Sequence, residues 1–329
     1  MNLLKKNQSK RKKVILTRTL QDFAIKELEK HYKIDVHKGP FPMPKKKLLS
    51  KIKDKDGLIC FPYDNVDRDV IKAGTKLKAI SAFSVGYDQV DTKFAKQKKI
   101  KIGYTPNVLT VATADLTIIL ILDMLRRVTE GDRLIRKGDW KVVFGADSYV
   151  GEEVAGKTLG ILGMGRIGRA VAKKAQIFGM KVIYHNRNRL PRNREKILKV
   201  KYASFNELFR KSDIVSLHIP YSYQTHELVN KTLLKKMKKR SFLVNTARGK
   251  IINEKELVFA LKKKIIAGAA LDVFYHEPIG KNHPLTKMHN VVLAPHIGSS
   301  SRETRDKMAA LTVENLKLGL SGKKPIYSV

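Results

Sequence analysis

Thr158-Leu159-Gly160-Ile161-Leu162-Gly163-Met164-Gly165-Arg166-Ile167-Gly168 is the stretch of this 329-residue chain that decides how the rest is read. Its first five residues form an apolar run of the kind buried in a parallel sheet, and positions 170–178 beyond it have helical spacing. Between them a Gly-x-Gly-x-x-Gly string stands where strand gives way to helix. Such a string recurs by chance in many chains, and the strand before it and the helix after it give it meaning. The first glycine permits a tight turn, the second lets backbone approach a pyrophosphate, and the third lets helix pack on strand. The helix N-terminus then presents free N–H groups and a positive dipole end to the phosphates. The stretch predicts a dinucleotide-binding α/β domain.

The choice of dinucleotide is made about 20 residues on, where an acidic residue would hold the ribose 2′-hydroxyl of NAD. The second strand, Lys181-Val182-Ile183-Tyr184, leads instead to His185-Asn186-Arg187-Asn188-Arg189. No carboxylate stands there to repel a 2′-phosphate, and Arg187 and Arg189 offer two guanidiniums to pair with it. The cofactor indicated is NADP, as NADPH, rather than NAD. The Lys/Arg-rich stretch 186–201 reads as a loop beside the binding site.

Before residue 105, short β-type runs alternate with helical ones. Val14-Ile15-Leu16, Ile34-Asp35-Val36, Gly57 to Phe61, Leu77 to Ile80 and Ile100 to Ile102 read as strands, with helices at 21–31 and 67–73. Strand and helix in alternation predict a second parallel sheet covered on both faces. Pro106 introduces a long apolar helix at about 109–127, and the chain ends in a helix at 302–320. A chain of this length is expected to form two domains.

Bulk properties exclude several classes. The most apolar region, 108–125, is interrupted by Thr110, Thr113, Asp115, Thr117 and Asp123, whereas a membrane span needs about 20 nearly uncharged residues. Lys5, Lys6, Lys10, Arg11, Lys12 and Lys13 make the N-terminus basic, without the apolar segment and cleavage site of a secretory signal. Cys60 is the single cysteine, so neither an internal disulfide nor a cysteine-built metal site is expected, in keeping with a reducing cytoplasm. The net charge of +37 comes from basic residues spread along the whole chain, with aromatics at 7%. That pattern reads as lysine-rich solvated faces, and charge alone would give only weak, nonspecific nucleic-acid binding.

Three later segments each place a reactive residue just past an apolar run. Phe242 to Ala247 leads to Arg248-Gly249, Ala269 to Phe274 leads to Glu277-Pro278, and Val291 to Pro295 leads to His296-Ile297-Gly298. In an open α/β sheet ligands gather at the carboxyl ends of the strands, so these loops can converge. Reducing a 2-keto acid calls for a cation at the carboxylate and carbonyl, a proton donor, and a partner for that donor. Arginine, histidine and glutamate match that set. Each alone is an ordinary surface or structural residue; the combination downstream of the glycine motif is specific.

From about residue 55 to 320 the chain resembles the D-isomer-specific 2-hydroxyacid dehydrogenases, and within them the glyoxylate/hydroxypyruvate and 2-ketogluconate reductases. The resemblance is carried by Ser84-Val85-Gly86-Tyr87-Asp88, Thr105-Pro106-Asn107-Val108-Leu109-Thr110, the glycine motif, Asn245-Thr246-Ala247-Arg248-Gly249, Leu271-Asp272-Val273-Phe274 and Pro295-His296-Ile297-Gly298-Ser299. It implies a Rossmann-type dinucleotide-binding domain, 106–296, inserted into a flavodoxin-like α/β substrate domain made of 1–105 and 297–329. It also implies a homodimer built through an arm at about 109–150.

The same resemblance implies roles. Arg248 would bind the substrate carboxylate and carbonyl, and the backbone N–H groups of Val85 and Gly86 would hold the carboxylate from the other domain. His296 would donate the proton, with Glu277 hydrogen-bonded to it and raising its pKa. Asp272 would fix the nicotinamide carboxamide. Gly163, Gly165, Arg166, Ile167, Gly168 and Arg169 would line the pyrophosphate, and Asn186, Arg187 and Asn188 the 2′-phosphate. Thr246, Ala247 and Gly298 would complete the cofactor site. Trp140, the only tryptophan, would either reach the partner's active site or anchor the dimer. Thr113 departs from the family pattern, which usually has valine there, and the strong basicity is not a family property.

The expected function is therefore NADPH-dependent reduction of a small 2-keto acid: glyoxylate, hydroxypyruvate or 2-ketogluconate. Two readings stay open beside it: a dinucleotide-sensing co-repressor of the same fold, and an NAD-dependent enzyme of the D-lactate or phosphoglycerate type.

Overall fold

A computed structural model describes residues 11–329; Lys5, Lys6 and Lys10 of the basic N-terminus lie outside the described residues. The chain divides into two compact units, one joining the chain up to Leu109 with Ser300–Val329, the other spanning Thr110–Ser299. The divide falls a few residues later on each side than the sequence suggested.

The first unit is built on five parallel strands: β1 (Lys13–Leu16), β2 (Lys33–Val36), β3 (Gly57–Cys60), β4 (Ala79–Ala82) and β5 (Lys101–Gly103). Their order, β2-β1-β3-β4-β5, is the flavodoxin-like one. Every residue of β3 and β4 is buried, as expected of strands covered on both faces. One of the covering helices is Arg302–Leu320, capped by the Ser301 side chain. Ser81 donates to the Thr312 carbonyl at 2.9 Å and Asn315 to that of Tyr104 at 2.9 Å. At Gly319 a Cβ would lie 2.8 Å from that of Ala79, so a glycine lets this helix close on the sheet. These contacts make the unit discontinuous in sequence. The fourth strand begins at Ala79 rather than Leu77, because the Leu77 amide closes the preceding turn onto the Gly74 carbonyl.

The second unit carries seven parallel strands: β6 (Thr158–Leu162), β7 (Lys181–His185), β8 (Lys201–Tyr202), β9 (Ile214–Leu217), β10 (Phe242–Asn245), β11 (Gly268–Leu271) and β12 (Val291–Leu293). Their order, β12-β11-β10-β9-β6-β7-β8, reverses direction between β6 and β9, which is the Rossmann arrangement and its ligand crevice. Ala114, Ile118 and Ile121 of the helix Thr110–Arg126 share a core with Val171, Ala172 and Ala175 of the helix Arg166–Ile177.

The stretch 186–201, expected as a loop, is not one throughout, since Arg192–Leu198 is a helix. Its charge conceals a one-sided pattern: Glu195 and Leu198, three residues apart, are buried while the residues between them face out. Among the described residues no helix is long and apolar enough to cross a membrane.

Candidate active site

The glycine loop follows β6. Gly163 has φ +102°, and a Cβ there would lie 2.5 Å from the His218 carbonyl oxygen, just past β9. At Gly168 a Cβ would fall 2.2 Å from the Gly163 carbonyl oxygen. The protein's own packing therefore demands these two glycines. Gly165 differs, because nothing lies within 4 Å of where its Cβ would be, and its backbone is an ordinary extended one with φ −77°. Its bare backbone opens to solvent at the head of the helix Arg166–Ile177, a cradle that a side chain would fill. That is the fit a pyrophosphate needs.

A clean separation of effects is expected from this geometry. Gly165→Val should hold stability within about 1 kcal/mol of wild type and weaken dinucleotide binding at least roughly tenfold by filling the phosphate approach. Gly163→Val should unfold the domain at markedly lower denaturant. Urea melts and titrations of NADPH fluorescence measure both.

Two side chains hold this loop, one just past β7 and one in the helix that follows the loop. Asn186 accepts the Met164 amide at 2.6 Å, and the Arg169 guanidinium donates to the Met164 carbonyl at 3.2 Å. Arg166, Arg187 and Asn188 are exposed. Of the two guanidiniums expected to be available for a 2′-phosphate, one is not. Arg189 makes two 2.8 Å hydrogen bonds to Glu195, whose carboxylate also accepts the Tyr184 hydroxyl at 2.6 Å. Arg189 and Tyr184 hold Glu195 down at about 2, and burial followed by Glu195 pushes Tyr184 up to about 12. A carboxylate does stand beside this loop, brought in by the helix, but it is neutralised by Arg189.

Past β10, the buried Asn245 side chain accepts the Ala247 amide at 3.0 Å and donates to the Arg248 carbonyl at 2.9 Å. This clamp shapes the turn that presents Arg248. Gly249 then passes so close to the loop after β11 that a Cβ would lie 1.9 Å from the Phe274 carbonyl carbon and oxygen. The Phe274 amide donates to Glu277 Oε1 at 2.8 Å, and Glu277 Oε2 meets His296 Nδ1 at 2.7 Å. Arg248, Glu277 and His296 thus stand on three loops, the first two packed backbone to backbone at Gly249 and Phe274 and the last two joined by the Glu277–His296 bond.

His296 adopts φ +54°, a left-handed conformation held by the two residues after it. The buried Asp272 accepts the Ile297 amide at 2.7 Å and the Gly298 amide at 2.8 Å, one with each oxygen. Burial pushes its carboxyl above the ordinary range, against those two amides and the neighbouring His296. Asp272 therefore shapes the His296 turn, beyond the cofactor contact expected of it. Thr113 adds a bond of its own, donating to the Gly298 carbonyl at 3.1 Å, which valine could not do. Thr117 bonds Thr246 at 2.9 Å, so one helix touches the loops of both Arg248 and His296.

Val85 and Gly86 belong to the other unit, in the loop after β4, where the Ser84 hydroxyl donates to the Gly86 carbonyl at 2.6 Å. Their amides donate to no acceptor among the described residues. Trp140 is 51% exposed in the arm, where Val142 and Val143 are 74% and 88% exposed. Sequence reading missed His218, whose carbonyl crowds Gly163 at the strand-order reversal. Its ring bonds Ser216 at 2.8 Å, and burial pushes it down to about 4, so it stays neutral near pH 7. A His-x-Pro after an apolar run was the available signal.

Residues 118–298 match the family described as D-isomer specific 2-hydroxyacid dehydrogenase, NAD binding domain. A glyoxylate reductase of Korarchaeum cryptofilum is 42% identical over 313 residues, 95% of this chain and 94% of that one. A solved structure of a Thermus thermophilus protein superposes with TM-score 0.90 at 43% identity, covering 96% of this chain and 99% of that one. The NADPH-dependent glyoxylate/hydroxypyruvate reductase of Sinorhizobium meliloti, solved with NADP and malonate, gives 0.84 at 28% identity, covering 97% of each.

Proposed function

The chain belongs to the D-isomer-specific 2-hydroxyacid dehydrogenase family, and on that premise we propose that it reduces small 2-keto acids to D-2-hydroxy acids with NADPH. Glyoxylate, hydroxypyruvate and 2-ketogluconate are the proposed substrates. The observation that carries the reading is the 2.7 Å bond between Glu277 and His296 Nδ1, on a loop locked to that of Arg248. When bound, the dinucleotide supplies the hydride that reaches the keto carbon. With Nδ1 engaged by a carboxylate, His296 delivers its proton from Nε2 to the carbonyl oxygen. Arg248 meets the substrate carboxylate and the charge that grows on that oxygen. The amides of Val85 and Gly86 hold the carboxylate, and Asp272, Thr246, Ala247 and Gly298 line the nicotinamide end.

NADPH is favoured over NADH by the absence of an acid at Asn186 and by the exposed Arg187, which makes no ion pair among the described residues. The NADPH-dependent Sinorhizobium relative supports the same cofactor, and the glyoxylate reductase name of the Korarchaeum relative supports a small 2-keto acid as substrate. Arg187→Ala should raise KM for NADPH about 10- to 100-fold, the worth of one charged hydrogen-bonding group, with NADH kinetics unchanged. Equal wild-type turnover with the two cofactors, in a panel of the three acids and pyruvate, would sink the cofactor assignment.

The exposed apolar residues around Trp140, Val142 and Val143 support a homodimer through the 109–150 arm. A cytoplasmic setting suits a chain whose single cysteine, Cys60, is buried and reduced.

A further inference from the structure

At the carboxyl edge of the first unit's sheet, aromatic rings form a row. Phe61 follows β3 and Phe83 follows β4, with centroids 5.0 Å apart, and Phe41 meets Phe61 edge-on at 6.0 Å. A guanidinium lies at each end of this row. Arg18, just past β1, stands 4.6 Å from the Phe41 ring, and Arg305, in the first turn of the helix Arg302–Leu320, stands 5.6 Å from Phe83.

Neither arginine has a carboxylate partner among the described residues; Arg305 donates to the Ser300 hydroxyl at 2.8 Å. The two cations feel one another, for burial and then the charge of Arg18 hold Arg305 below its ordinary pKa. Some basic residues near this sheet are matched, as Lys51 is by Asp35 and Lys13 by Asp54. Arg18 also lines a cavity of about 430 Å³ with Lys38 and Phe41. A ring face attracts each cation singly but does nothing to offset repulsion between the two. An anion placed against both would do so, in the planar geometry that guanidinium favours. Phe83 is followed directly by Ser84-Val85-Gly86, the loop assigned above to the C1 carboxylate of the substrate.

We propose that Arg18 and Arg305 form a subsite for a second anionic group, carboxylate or phosphate, at the far end of the keto acid. The preferred substrates are then dianionic 2-keto acids rather than glyoxylate itself. This rests on the reductase reading and, within small 2-keto acids, moves the preferred substrate from the three monoanions named above to dianions.

The test compares glyoxylate, which has no far group, with four- and five-carbon 2-oxo dicarboxylates and with the phosphate ester of hydroxypyruvate. Wild type, R18Q, R305Q, the double variant and the charge-keeping R305K are assayed with NADPH. Wild type should show a kcat/KM at least about tenfold higher for a dianion than for glyoxylate, the worth of one charged hydrogen bond. The double variant should lose roughly 10- to 100-fold on that dianion and stay within about twofold on glyoxylate, as charge removal away from the reacting atoms allows. R305K should keep most of the dianion preference. The dicarboxylate and phosphate arms decide which anion the pair takes. Dianions no better than glyoxylate, or equal losses on both in the double variant, would overturn the subsite. Absence of turnover with every acid, glyoxylate included, would instead overturn the reductase reading beneath it.

Discussion

Replacing His296 with alanine lowers kcat by roughly 10²- to 10⁴-fold, the range that a positioned general acid supplies, while NADPH binding stays near wild type. The expectation follows from how the ring is held. Glu277 fixes Nδ1 at 2.7 Å, and Asp272 pins the two amides after His296, so the imidazole has a defined tautomer and direction. Removing the ring leaves these supports intact, and the loss is chemical rather than structural. Glu277→Gln keeps the shape but not the charge, and its kcat should fall between wild type and His296→Ala. Steady-state kinetics with a fluorescence titration of NADPH distinguishes a chemical loss from a failure to bind cofactor. A kcat within twofold of wild type for His296→Ala would show that the proton comes from elsewhere.

Arg248→Ala lowers kcat/KM for glyoxylate by about 10²- to 10³-fold, comparable with losing a preorganised donor to a developing oxyanion. The turn that carries Arg248 is fixed by Asn245 on one side and by the packing of Gly249 against Phe274 on the other. Truncating the side chain therefore leaves the loop in place. Arg248→Lys should recover only part of the rate, because an ammonium cannot meet carboxylate and carbonyl with a planar fork. Arg248→Ala should also bind NADPH within about twofold of wild type, as the proposed role of Arg248 at the substrate rather than the cofactor requires. Equal weakening of cofactor and substrate would place Arg248 in the cofactor site instead.

The parts of this molecule legible in the sequence are those whose cause is local. The apolar run before Gly163 and the spacing of its three glycines encode strand, turn and helix within one stretch. The helix Arg302–Leu320 was visible from its periodicity. Arg248, Glu277 and His296 were legible as a set because each comes after an apolar run that becomes a strand or its end. What escaped depends on partners distant in sequence. Glu195 looks like one acid among many bases until the fold sets it against Arg189 and Tyr184. Asn186 gives no sign that it holds Met164 across the turn. Asp272 and Thr113 secure the His296–Gly298 turn from 26 and 185 residues away, a relation no local pattern states.

The proposed passage of a hydride from the nicotinamide to the keto carbon leaves an isotopic trace. The protein is incubated with glyoxylate and NADPH deuterated at both C4 positions, and the glycolate formed is analysed by mass spectrometry. One deuterium at C2 of the glycolate is expected with wild type, and far slower formation of the same labelled product with His296→Ala. Glycolate without the label, or no glycolate at all, would contradict hydride transfer at this site.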